Sequence, residues 1–185
     1  MPTHIVNRYI IFSLIKILLS NLTVMSGYFN LEKSFAFYGS YHANPINQVI
    51  HVICVPLIFT TSIEILSRFL NHMAIKVILA FYICSFIKMH AKAGLMYAPV
   101  LFGMYYIGTS SIDPTVSTIF FCVSWIAQFI GHGVFEKRAP ALLTNLPQGL
   151  HAAVFFVWLE LIFFFGFDPE LRHRLQLLVD KARRS

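Results

Sequence analysis

Two stretches concentrate the side chains able to bind a metal or move a proton. One is YGSYHANPINQVIH, Tyr38–His51; the other is QFIGHGVFEKRAPAL, Gln128–Leu142. In the first, Pro45 suits the opening position of a helix and Asn44 its cap, so a helix is expected to start there. On it Asn47 and His51 are four residues apart and Gln48 and His51 three apart, which makes their side chains neighbours. His42 lies just before the cap and can fold over the helix end. Neutral imidazole is the commonest protein metal ligand, and amide side chains orient it, so this is half of a metal site or else a set of interfacial caps.

In the second stretch Gln128, His132 and Glu136 recur every four residues and would form one polar ridge on a continuing helix. Gly131 and Gly133 flank the histidine and permit close approach of another helix or a ligand. Glu136 is open to three readings: carboxylate ligand, base, or ion-pair partner of Lys137 or Arg138. Two histidines plus a carboxylate with open positions suit non-haem Fe(II) and oxygen chemistry, whereas closed cysteine-rich sets suit structural zinc. The alternative for Glu136-Lys137-Arg138 is a solvated charge cluster ending a helix.

The other titratable groups are weaker candidates. His90 lies between Lys88 and Lys92, whose charges oppose a cation, and His151 follows Pro147-Gln148-Gly149 near the right depth. His4, His72 and His173 read as surface residues. Glu64 and Glu160 lie inside apolar runs, where an ionised carboxylate needs a partner or a proton. The cysteines, Cys54, Cys84 and Cys122, are each embedded in apolar sequence without CxxC spacing, so they read as small buried hydrophobes rather than a disulfide framework or zinc knuckle.

The elements that must position these residues are greasy. The 185-residue chain is 57% hydrophobic with 19 Phe and only 12% charged, against about 25% charged in soluble domains. Runs such as AAVFFVWLELIFFFGF have no polar face to offer water, so a bilayer is their natural solvent. The net charge of +6 is scattered at segment ends, with a cluster in the tail at Arg172, Arg174, Lys181, Arg183 and Arg184. That pattern fits anionic headgroups and not nucleic acid.

The expected fold is all-α: a polytopic helical membrane protein with four to five membrane segments and no sheet. Residues 1–24 form an apolar N-terminal extension or anchor, with Arg8, Lys16 and the sequon Asn21-Leu22-Thr23; Met25 opens what reads as a natural start. Residues 25–168 form the single membrane domain and 169–185 a basic tail. The segments are 49–67, 74–87, 95–108, 115–131 and 149–167, about 20 residues being needed to cross the hydrocarbon. The two short ones are thin spans or one hairpin. Either way, parity puts His42, His51 and His132 on one face, with His90 joining them if both short segments cross and His151 starting there too. His72, His173 and the basic tail fall on the other face.

At these residues the chain resembles the membrane-bound, iron-dependent 2-hydroxy fatty acid dioxygenases, which include a fungal enzyme of phytosphingosine degradation. The resemblance rests on FYGSYHANPINQVIHVICVPLI (Phe37–Ile58), QFIGHGVFEKRAPALLTNLPQ (Gln128–Gln148) and VWLE (Val157–Glu160), and it extends over about Met25 to Phe167. It implies oxygen-dependent, one-carbon shortening of a long-chain 2-hydroxy fatty acid at the endoplasmic reticulum membrane, with Fe(II) as cofactor and O2 as co-substrate. His42, His51 and His132 carry over as iron-site residues. Glu136 would be a third ligand or a proton acceptor, and Lys137 or Arg138 would neutralise the substrate carboxylate. Asn44, Asn47, Gln48 and Gln128 would support ligands or substrate. Many relatives differ where this chain has Ala43 and carry apolar residues at the place of His151, so neither position inherits a role. Two rival readings exist. Di-iron hydroxylases and desaturases need HxxxH and HxxHH boxes, which the chain lacks. A non-enzymatic multi-pass scaffold or transporter would use the same polar residues to line a path or an interface.

Overall fold

The computed structural model describes residues 29–110, 112–140 and 146–184, with side chains from 149 in the last stretch. The N-terminal extension 1–24 and Met25 lie outside the described residues. Every described element is helical: α1 (Leu31–Ser40), α2 (Pro45–Ser67), α3 (His72–Met89), α4 (Ala91–Ser110), α5 (Pro114–Ile130), a π-helical turn (Gly131–Glu136), α6 (Leu146–Phe164) and α7 (Pro169–Arg184).

The helix starts follow from side chains that satisfy otherwise unpaired N–H groups. Asn44 accepts from Ile46 N–H at 2.9 Å, with Pro45 in the first turn of α2. Asn71 accepts from Ala74 N–H at 2.9 Å at the head of α3, and Asp113 accepts from Thr115 and Val116 N–H ahead of Pro114. Among the described residues three helical stretches are long and apolar enough to cross a membrane: Pro45–Ser67, His72–Met89 and Pro114–Glu136. The second is longer than its apolar run, because Asn71 starts the helix before the hydrophobic residues begin. The apolar part of α6, Gly149–Phe164, is shorter.

α2 lies at the centre and packs on α5, α4, α6 and the π turn. α3 and α4 form a hairpin so tight that a Cβ on Gly94 would run into the backbone of Phe86 and Ile87. Aromatic stacking closes the core: Phe86 on Phe155 at 4.6 Å and Tyr97 on Trp158 at 4.7 Å between ring centroids. The Trp158 indole N–H donates to Ala93 O at 3.1 Å, so its polar tip is satisfied. Outer faces carry exposed Val49, Ile53, Val77, Phe81, Ile119 and Val123, as lipid-facing surfaces do. Of the aromatic runs, Phe155, Phe156 and Phe163 are buried while Phe164 and Phe165 face outward.

Glu64 has a structural role. Its carboxylate pairs with Arg68, whose guanidinium also donates to Pro114 O at 2.7 Å and Thr118 Oγ1 at 3.2 Å. The group ties the end of α2 to the start of α5.

The basic tail departs from the parity expectation. α7 buries Leu171, Leu175 and Val179 and runs alongside α1. Arg174 meets Glu32 at 3.1 Å, and further along Arg183 donates to Gly39 O at 2.7 Å and His42 O at 2.8 Å. The tail therefore returns to the histidines instead of ending on the opposite face. Its period of apolar residues makes a helix that must cover α1, which counting membrane crossings ignores.

Candidate metal centre

His42, His51 and His132 come from three different elements and meet. Their ring centroids are 4.5 Å (His42–His51), 4.9 Å (His42–His132) and 4.9 Å (His51–His132) apart. One ring nitrogen from each lies within 4.8 Å of the others, and all three residues are buried. Among the described residues this is the group of His, Cys, Asp and Glu able to hold a metal ion.

Local structure orients each ring. His42 ends the turn after α1, where its Nδ1–H donates to Tyr38 O at 2.7 Å and its ring stacks on Tyr38 at 3.9 Å. His51 lies in the second turn of α2 and donates Nδ1–H to Asn47 O at 2.9 Å. A carbonyl only accepts, so both Nδ1 atoms carry the proton and both Nε2 atoms present a lone pair. This is the arrangement by which a backbone carbonyl prepares an imidazole ligand. His42 Nε2 and His132 Nδ1 are buried with no hydrogen-bond partner. A buried polar atom without a partner costs free energy, and a bound cation removes that cost, so the residues fit a metal. Burial, and after it the nearby His51, holds His42 well below the ordinary imidazole pKa, so it is neutral at pH 7, as a ligand must be.

His132 is aimed by the π turn that follows α5. A π turn is a local widening of the helix, often found at functional sites. Gly131 allows it to press on α2, because a Cβ there would overlap Asn47 Oδ1. The turn ends at Lys137, whose φ of 52° is left-handed. The ridge of Gln128, His132 and Glu136 is conditional on a continuing α-helix; the π turn changes that ridge but keeps His132 buried.

Glu136 is engaged by the first stretch. Its Oε1 accepts from Asn44 N–H at 2.9 Å and from Asn47 Nδ2 at 3.0 Å. It thus clamps the π turn to the head of α2. Gln48 donates Nε2–H to His42 O at 3.0 Å, joining Arg183 on the same carbonyl. Gln128 is buried with Nε2 unpaired. Lys137 is exposed, and Arg138 stacks over the Tyr41 ring at 4.2 Å and donates to Ser40 O at 3.3 Å. His90 and His151 are elsewhere. His90 caps α3 and packs on Phe167, and His151 Nε2 is 2.6 Å from Ser85 Oγ amid Phe81, Tyr82 and Phe86.

The histidines line one end of a cavity of about 290 Å³ whose surface is otherwise mostly apolar. Its floor is α2, its walls carry Ile78 and Tyr82 of α3 and Trp125 and Phe129 of α5, and the start of α6 closes it beside Tyr38. Sequence reasoning missed two contributors. Tyr38 lies in the quoted motif but reads there as an ordinary aromatic. Arg183, 141 residues from His42, gives no local signal at all.

Comparison with known proteins agrees with this geometry. The chain matches the family described as 2-hydroxy-palmitic acid dioxygenase Mpo1-like over residues 28–94 and 89–165. It is 36% identical over 159 residues to the 2-hydroxy-palmitic acid dioxygenase MPO1 of Saccharomyces cerevisiae, covering 81% of this chain and 90% of that protein. No solved structure matches. The two quoted motifs fall inside the matched residues and supply all three histidines, and the chain belongs to the 2-hydroxy-palmitic acid dioxygenase Mpo1-like family.

Proposed function

We propose that the protein is an Fe(II)-dependent dioxygenase that shortens long-chain 2-hydroxy fatty acids by one carbon. The reaction belongs to fatty acid alpha-oxidation and phytosphingosine degradation, in the endoplasmic reticulum membrane. The observation that carries this reading is the buried trio of imidazoles at the head of an apolar cavity. The name of the yeast relative, a 2-hydroxy-palmitic acid dioxygenase, supplies the substrate class. Three histidines alone suit zinc as well as iron; a dioxygenase family favours the redox metal.

His42, His51 and His132 would hold the ion, and three protein ligands leave positions for substrate and oxygen. Bound Fe(II) would supply the redox centre at which a 2-hydroxy acid and O2 react. In sum R–CH(OH)–COOH and O2 give R–COOH, CO2 and water; the bond to the carboxyl carbon breaks and the substrate is oxidised by four electrons while O2 is reduced. The chain's own groups position the acid. Gln128 Nε2, buried and unpaired, donates to the substrate head. Arg138, with Lys137 beside it, supplies positive charge at the histidine end for the carboxylate. Glu136 orients α2 and the π turn through Oε1; its Oε2, to which no described group is bonded, is the atom available to take a proton. The apolar walls exclude water and receive the acyl chain.

The test is turnover of 2-hydroxypalmitate by purified protein, following the one-carbon-shorter acid. Product that requires both Fe(II) and O2 and vanishes with chelator supports the reading. Absence of product from folded, iron-loaded protein would shift the assignment to a scaffold or transporter, for which chelation is irrelevant.

A further inference from the structure

The cavity has a direction. His51, Val55, Ile58, Phe59, Ser62 and Leu66 line it from one helix, at steps of three and four that keep side chains on one face. The fifteen steps from His51 to Leu66 span about 22 Å of α2. The histidines occupy one end. At the other, Leu66 is 38% exposed, so the slot opens at the protein surface.

Width along this stripe is not uniform. Its apolar members are branched or aromatic, and Ser62 is the smallest side chain among them. Phe59 meets Tyr82 at 5.1 Å between centroids. Ile78, one turn before Tyr82 on α3, lines the same cavity as Ser62 and Leu66. Beyond the Phe59–Tyr82 pair the cavity is lined by Ser62 and Leu66 of α2 and by Ile78 of α3.

We propose that Ser62 is the chain-length gauge of an open-ended acyl slot. The acid head lies at the histidines, the chain runs along α2 past Ser62, and the methyl end leaves beside Leu66 into the bilayer. A small residue at this point admits chains of any length; a bulky one admits only those that stop short of it. This inference rests on the histidines being the reaction centre, and its test separates the two.

The experiment compares 2-hydroxyoctanoate with 2-hydroxypalmitate on full-length, iron-loaded protein in lipid nanodiscs. Ser62→Trp is expected to lower the palmitate-to-octanoate ratio of kcat/KM by about tenfold or more, while Ser62→Ala leaves it unchanged. Ile78→Phe, which narrows the same cavity from α3, is expected to act in the same direction and serves if Ser62→Trp does not fold. An unchanged ratio in a folded variant with normal iron content overturns the gauge. If wild-type protein turns over neither acid, the reaction assignment fails, and anaerobic binding of the two acids decides the slot. Selective loss of palmitate binding in Ser62→Trp upholds it, and equal binding in wild type and variant overturns it.

Discussion

At the residue scale the chemistry depends on three imidazoles kept neutral and aimed. His42 and His51 spend Nδ1–H on carbonyls one helical turn back, which leaves Nε2 for a ligand. Because burial lowers the His42 pKa below its ordinary 6.5, the unfolded chain binds a proton more readily than the folded one. Stability from this group is present above that value and is lost as pH falls through the folded pKa. Metal-free protein is therefore expected to unfold at lower temperature at pH 5 than at pH 7.5, and His42→Phe to flatten that slope; an equal slope in the variant would contradict the assignment. Glu136 offers a second check. Glu136→Ala leaves Asn44 N–H and Asn47 Nδ2 without their acceptor, at a cost of about 1–3 kcal/mol, and should weaken metal binding by about 10–100-fold. Glu136→Gln keeps an oxygen acceptor and should retain most of the metal affinity. If Gln loses iron as completely as Ala, the carboxylate is itself a ligand.

The elements show why part of this site was legible and part was not. Asn44 and Pro45 announce the start of α2 by short-range chemistry, and that cap forms as the local sequence implies. Counting crossings, which needs only the order of apolar segments, offers His42, His51 and His132 for one face, and packing brings their rings together. The π turn was not legible, because an i→i+5 register depends on how Gly131 presses against Asn47 and not on any residue type. Gly131→Ala is accordingly expected to cost about 1–3 kcal/mol by overpacking and to shift His132; iron retention equal to wild type would show that the turn tolerates a side chain. The return of α7 was missed for a similar reason. Its amphipathic stripe is visible in the sequence, but the target of that stripe, α1, is found only through Arg174–Glu32 and Arg183–His42 O.

At the scale of the whole molecule the prediction concerns its solvent. Cys84 and Cys122 are exposed on α3 and α5, and Cys54 is buried. In intact membranes a charged maleimide should leave Cys84 and Cys122 unlabelled, and a lipid-soluble maleimide should reach them ahead of Cys54. Rapid labelling of either by the charged reagent would mean that its helix faces water. A bilayer around these helices also explains the slot, since a fatty acyl chain can pass from lipid to cavity without crossing water.

The most direct measurement is the iron content of purified full-length protein, with X-ray absorption at the iron edge, for wild type and for His42→Ala, His51→Ala and His132→Ala. Iron bound by a shell of imidazole nitrogens is expected in the wild type, and loss of that iron in each variant while the helical fold persists. Wild-type protein that folds without retaining iron, or variants that keep it in the same shell, would contradict the claim that these three histidines form the metal centre.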